Sequence, residues 1–336
     1  MTQDAVPAGM PPRENGPEDI FMPDLPVVDA HIHLWNAAGY DYFAPDYLAD
    51  VASGHKVEAS IYIECGMAYS QDARAAFRSV GETAYVVEHV RQARAGTHQL
   101  AAGILSHADL TLGEAVRPVL EAHIEAGEGR LRGIRYRAAW NDDPDILYGA
   151  GYPEAGVLLT DAFLAGARCL APLGLTLDIW ALHPQLDEIY WAASRLPELP
   201  IAVNHVGGPL GIGRYAGRRE EVFAAWSAGI RKLATLPNIQ IKLGGLGISR
   251  LGWRFGPTGQ ARSSSELVEA WSPYIKTCVD AFGPNRSIFG SNFSVDRSAA
   301  CFRVYLNAFK RMLADLSRDE IEAVFAGNAR RHYRIG

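Results

Sequence analysis

The 336-residue chain is 48% apolar and 21% charged with a formal net charge of −6, ordinary values for a globular protein that buries a large core. The acidic balance and the lack of any Lys/Arg run leave no footprint for nucleic acid or an anionic membrane surface, so the expected partner is a small molecule. No apolar run reaches the length of a signal peptide or membrane span, and the scattered Cys65, Cys169, Cys278 and Cys301 form no CxxC pair; together these point to a cytoplasmic protein with reduced thiols.

Residues 1–24 are proline-rich and acidic and are expected to form a loose arm, with a single domain over 25–336. From there, short β-branched and aliphatic runs recur at 27–34, 59–66, 100–106, 131–138, 175–182, 201–206, 239–246 and 287–292. Amphipathic stretches fall between them at 82–95, 112–126, 160–171, 186–196, 219–235, 265–282 and 302–314, followed by 317–326. Eight strand–helix alternations predict an α/β fold, a (β/α)8 TIM barrel, over a doubly wound open sheet. His, Arg, Asn and Asp gather at the C-terminal strand ends, where a barrel opens its active site. Gly- and Pro-rich segments at 207–218 and 244–262 are long enough to act as lids.

Strand one carries Val28-Asp29-Ala30-His31-Ile32-His33. Histidines two apart on a strand share a face, here the expected barrel interior, so both imidazoles can grip one cation or one anionic substrate. Strand four offers Arg135-Tyr136-Arg137, with two guanidinium groups on one face and Tyr136 on the other. Guanidinium suits bidentate recognition of a carboxylate, which makes an anionic substrate the expectation; an interior ion pair plus a surface charge is the plainer alternative. Trp180, Trp140 and Tyr69 lie near strand ends and can wall a ring-shaped substrate, or simply pack. Lys242 on strand seven is either an oxyanion donor or a buried charge paired with a neighbour such as Glu64. Asp296 can swing into the mouth as a carboxylate or pair with Arg297. No GxSxG elbow and no Walker or dinucleotide loop is present.

The segment VVDAHIHLW resembles the opening strand of the amidohydrolase superfamily, in its lactonase-like and decarboxylase-like branch. The likeness continues through Ile63-Glu64-Cys65-Gly66, Gly133-Ile134-Arg135, His205-Val206-Gly207-Gly208-Pro209, Lys242-Leu243 and Phe289-Gly290-Ser291-Asn292-Phe293. It implies a metal-dependent-hydrolase barrel whose relatives hydrolyse sugar lactones and pyrone dicarboxylate or decarboxylate aromatic acids. It also implies that His205 is a strand-six metal ligand and that His183 lies near a further one. One divalent ion, Zn or Mn, on His31, His33, His205 and His183 follows from this, with metal-free catalysis as the alternative. Many relatives end strand eight in Gly-Ser-Asp, the Asp serving as general base. Here the residue is Asn292, which cannot take up a proton at neutral pH. Strand four lacks the Lys or Glu that bridges two metals. The resemblance thus implies hydrolysis of a small lactone or ester, with non-oxidative decarboxylation or a ligand-binding barrel without catalysis as alternatives, and a homodimer, since barrels of this type often pair.

Overall fold

The computed structural model describes residues 18–37, 40–71, 73–93, 96–147, 153–255 and 263–336; residues 1–17 of the expected arm and 256–262 of the second expected lid lie outside them. Among the described residues, eight strands form one parallel sheet in sequence order: β1 (Val27–Ile32), β2 (Val57–Ile63), β3 (Gln99–Ser106), β4 (Leu131–Arg137), β5 (Thr176–Trp180), β6 (Ile201–Val203), β7 (Ile239–Leu243) and β8 (Ser287–Phe289). The residues after β8 complete the ring. Asn292 N donates to His31 O at 2.8 Å, His33 N donates to Phe293 O at 2.8 Å, and Ile32 bridges Phe293. The sheet is therefore a closed barrel, as the strand–helix alternation predicts.

Every barrel strand falls on a predicted run, and several stop short of it; a short antiparallel pair at Trp35–Ala37 and Tyr40–Tyr42 lies outside the predicted runs. β6 ends at Val203 because His205 and Val206 turn into the left-handed region, with φ of 53° and 48°. That conformation is costly for a β-branched residue and is held by its surroundings. The predicted helices appear as α2 (Val80–Gln92), α3 (Arg117–Ala126), α4 (Asp161–Arg168), α5 (Leu186–Ser194), α6 (Arg219–Ala234), α7 (Ser264–Phe282), α8 (Phe302–Met312) and α9 (Arg318–Glu322). Two helices go beyond the prediction. The eight-residue α1 (Ala44–Val51) is started by Pro45 and by Asp46, whose carboxylate accepts from Phe43 N. After α9, a π-turn at Ala323–Gly327 leads into α10 (Asn328–Tyr333).

Apolar residues divide into two clusters. The larger fills the space between strands and helices, with Val27, Ile134, Leu177, Ile179 and Ile241 facing Phe163, Trp226, Trp271 and Phe309 among others. The smaller joins Val28, Ala30, Ala59, Ile61, Ile63, Leu105 and Ile288 to Ala329, Tyr333 and Ile335. The C-terminal helix thus closes the bottom of the barrel. Residues 18–22, within the described part of the arm, lie along α8, where Asn307 accepts from Phe21 N and donates to Asp19 O, and Lys310 donates to Met22 O. No described helix is long and apolar enough to cross a membrane.

Burial also fixes the charge state of the interior. It lowers the proton affinity of nine histidines, taking His33 and His55 to about 3 and His123, His183 and His332 to about 4. In the unfolded chain these groups bind protons below about pH 6.5 that the folded chain refuses, so stability falls as pH drops through that value. Asp29, raised to about 6, and Glu82, raised to about 7, act in the opposite sense but are outnumbered. Urea unfolding at successive pH values is expected to show the midpoint falling steadily from about pH 6.5 to about pH 4. A flat profile would contradict the neutral buried histidines.

Candidate active site

The site begins with an irregularity in β1. Asp29 is in register with Ser60 and Ile32 with Tyr62, so three steps on β1 face two on β2. An extra residue of this kind reverses which side chains point inward. Val28 and Ala30 line the interior below it, and His31 and His33 do so above it. Their rings are 5.0 Å apart, and His205 from the end of β6 comes to 4.4 Å from His31. The three predicted histidines therefore converge at one rim. Gly245, at φ 72°, makes this approach feasible, because a Cβ there would lie 2.0 Å from His205 Nδ1.

Hydrogen bonds orient the first two rings oppositely. His33 Nδ1 donates to Ile63 O at 2.8 Å, which leaves its Nε2 as a lone pair. Lys242 Nζ lies 3.5 Å from His31 Nδ1, and its ammonium donates there. His31 Nε2 then carries the hydrogen, and it is buried without a protein partner. One histidine offers a donor to the cavity and the other an acceptor. Burial first, then the neighbouring imidazoles and the positive charges of Lys242 and Arg135, holds His31 and His205 well below the usual imidazole range.

Two buried ion-pair groups flank the rings. The expectation that Lys242 pairs with Glu64 is corrected: Lys242 reaches across to Asp178 of β5 at 2.8 Å. Asp178 also accepts from Asn204 at 2.7 Å and from the Tyr333 hydroxyl at 2.9 Å. Glu64 instead lies against Arg135 Nε at 2.7 Å and Arg137 Nε at 3.1 Å. Burial alone would raise its pKa, but the two guanidiniums overcome that and bring it to about 2. Arg135 and Arg137 do share the interior face, with a protein carboxylate already between them. Tyr136 points outward and packs against Phe163, 5.0 Å between centroids, away from the mouth.

The remaining predicted residues separate into wall and scaffold. Trp180 meets the His205 ring edge-on at 4.7 Å, and Trp35, which sequence reasoning passed over, stacks on His33 at 5.6 Å. Both indole Nε1 atoms are buried without a protein partner. His183 lies apart, its Nδ1 accepting from Leu210 N and its ring against Tyr215. Trp140 contributes its backbone N–H to Gln185. Asp296 does not swing into the mouth. Its oxygens accept from Asn292 Nδ2 at 2.8 Å, Gly247 N at 2.9 Å and Tyr305 OH at 2.8 Å, while Arg297 Nε lies 3.7 Å from the Asp50 carboxylate. Asp178, Asn204 and Tyr333 were missed. Alternation along β5 puts Asp178 and Trp180 on one face, the only signal available for them.

This donor set does not fit the expected divalent ion. Among the described residues no group of three or more His, Cys, Asp or Glu side chains is arranged to hold a metal. His183 is remote from the other rings, the strand-eight position is an amide, and the Lys242 ammonium occupies the far side of His31.

The sequence model of the amidohydrolase family matches residues 28–335. The chain belongs to the amidohydrolase family. It is 26% identical over 325 residues to an L-fucono-1,5-lactonase of Burkholderia multivorans, covering 92% of this chain and 96% of that one. A crystal structure of a Burkholderia multivorans amidohydrolase with bound Zn superposes with a TM-score of 0.70 at 22% identity, covering 92% and 99%. A 2-pyrone-4,6-dicarboxylic acid hydrolase structure from Pseudomonas putida does so with a TM-score of 0.60 at 17% identity, covering 92% and 98%. At these identities the two structures establish the shared fold.

Removing Lys242 would leave Asp178 buried without its cation, a loss of about 3–5 kcal/mol. Lys242→Met should show that loss in urea unfolding, and Lys242→Met/Asp178→Asn should recover most of it. Equal stability of the two variants would argue against the pair.

Proposed function

We propose that this protein hydrolyses a small, uncharged, hydroxyl-bearing lactone at the C-terminal mouth of the barrel. The observation that carries this reading is the opposed orientation of His31 and His33, one presenting an N–H and the other a lone pair to the same small space. The N–H polarises the lactone carbonyl, and the lone pair takes a proton from water. Oxygen from water bonds to the acyl carbon, the ring C–O bond breaks, and the proton held on His33 passes to the departing ring oxygen. The product is a hydroxy acid that ionises in solution. His33 is uncharged beforehand, its pKa held near 3 by burial and by Arg135; the negative charge forming on the carbonyl oxygen raises its proton affinity at that moment. Lys242 and Arg135 supply positive potential to that oxygen. No step is routed through a metal, because the donor set described above does not suit one.

The choice of an uncharged substrate over the anionic one expected from sequence rests on Glu64, which already neutralises part of the Arg135–Arg137 charge. The indole N–H groups of Trp35 and Trp180 suit ring hydroxyls. The likeness to an L-fucono-1,5-lactonase supports the same reading.

Acid release from a panel of neutral sugar lactones, pyrone dicarboxylates and muconolactones should show turnover of neutral sugar lactones above the others. Silence across the panel, or CO2 release from an aromatic acid instead, would overturn the proposal. His31→Gln is expected to lower kcat about 10²–10³-fold, the scale for one oxyanion donor. Exhaustive dialysis against chelator should leave kcat unchanged; activity that disappears and returns with Zn or Mn would mean that the histidines do bind an ion.

A further inference from the structure

Asn292 lies three residues past β8, and its surroundings give it a defined orientation. It sits at the rim with φ 58°, a left-handed conformation that Asn tolerates well, and is almost wholly buried. Its Nδ2 donates to Asp296 Oδ1 at 2.8 Å. Only that end of the amide carries hydrogens, and turning it over would set two acceptors against each other. Asp296 is itself fixed by Gly247 N and Tyr305 OH on its other oxygen. Asn292 Oδ1 is therefore turned away from Asp296 to the side of the His33 ring, buried and without a hydrogen bond of regular geometry, and close enough to that ring to favour a proton on it. His33 Nε2 is also an acceptor, since its Nδ1–H is taken by Ile63 O. Two neighbouring acceptors, neither carrying a hydrogen, are both satisfied by a double donor that reaches the pair.

We propose that Asn292 Oδ1 and His33 Nε2 together hold the attacking water, and that Asp296 is a positioning residue acting through the Asn292 amide. This rests on the lactone-hydrolase reading for its kinetic consequence. The water gives one hydrogen bond to Asn292 Oδ1 and the other to His33 Nε2, which takes that proton as the oxygen bonds to the acyl carbon. The strand-eight carboxylate has in effect moved four residues on. A carboxylate at position 292 would bring a second negative charge against Asp296, and two carboxylates in contact do not both ionise.

The test is an exchange of the two side chains, read alongside the wild-type crystal structure. Asn292→Asp and Asp296→Asn should each lower kcat about 10²-fold, the scale of a misplaced reactant, with KM changed less than about threefold. The double variant Asn292→Asp/Asp296→Asn keeps one carboxylate and one amide. In it, the amide now at position 296 can accept from Gly247 and Tyr305 and donate to the carboxylate now at position 292, whose second oxygen is left for the water. Its kcat should return to within about tenfold of wild type. Multiplying losses in the double variant, or a wild-type rate for Asn292→Asp alone, would overturn the proposal. Crystals of the wild-type protein should show a solvent oxygen within hydrogen-bond distance of both Asn292 and His33. No oxygen on Asn292 Oδ1 would refute the water site whatever the enzyme turns over. An ordered oxygen there with a silent lactone panel would support the site and refute only the lactone.

Discussion

Asp29 carries the constraint on which the rest of the site depends. Its carboxylate accepts from Ser291 N at 2.7 Å, Ser291 Oγ at 2.6 Å and Tyr47 OH at 3.1 Å, and more weakly from His31 N. It thereby fastens the first strand to the residues after the last one, across 262 positions of sequence. Histidines on β1 and the amide at 292 can share a rim only while this closure holds. Burial lifts the Asp29 pKa to about 6 against the lowering effect of these hydrogen bonds. Tyr47 belongs to α1, so a short helix outside the barrel contributes directly to its closure.

Inside the closed ring, charge is arranged rather than merely tolerated. Lys242 with Asp178, and Arg135 with Glu64, are ion pairs in almost complete burial, and the partly buried Arg137 joins the second. Such pairs contribute little net stability against apolar replacements, because desolvation offsets the attraction. Their effect is on the histidines, which stay neutral beside fixed positive charge and can act as donor or acceptor instead of as cations. Tyr333 extends the arrangement to the bottom of the barrel. Its hydroxyl supports Asp178 while its ring sits 5.2 Å from the Lys242 ammonium.

Asn292, three residues past β8, is held in place by its neighbours. An amide at 292 gives up proton uptake and gains a fixed orientation, because Asp296 meets its hydrogens and Gly247 and Tyr305 hold Asp296. The same positive environment that suits an oxyanion also opposes a divalent ion at these rings.

The order of elements, the barrel, the HxH strand and the amide at 292 are all legible in the unfolded chain, because alternation of apolar and polar residues and the identity of strand-end side chains are local properties. Folding alone settles which charges pair, that β1 carries a one-residue irregularity below His31 and His33, and that Asp296 turns away from the mouth. Lys242 meets Asp178 at a separation of 64 residues and Tyr333 meets it at 155. Such partners are set by strand stagger and ring closure, which no local pattern encodes. Parity along the strand places Asp29, His31 and His33 on one face; the extra residue in β1, visible only against β2, is what turns the two imidazoles toward the cavity lined below by Val28 and Ala30.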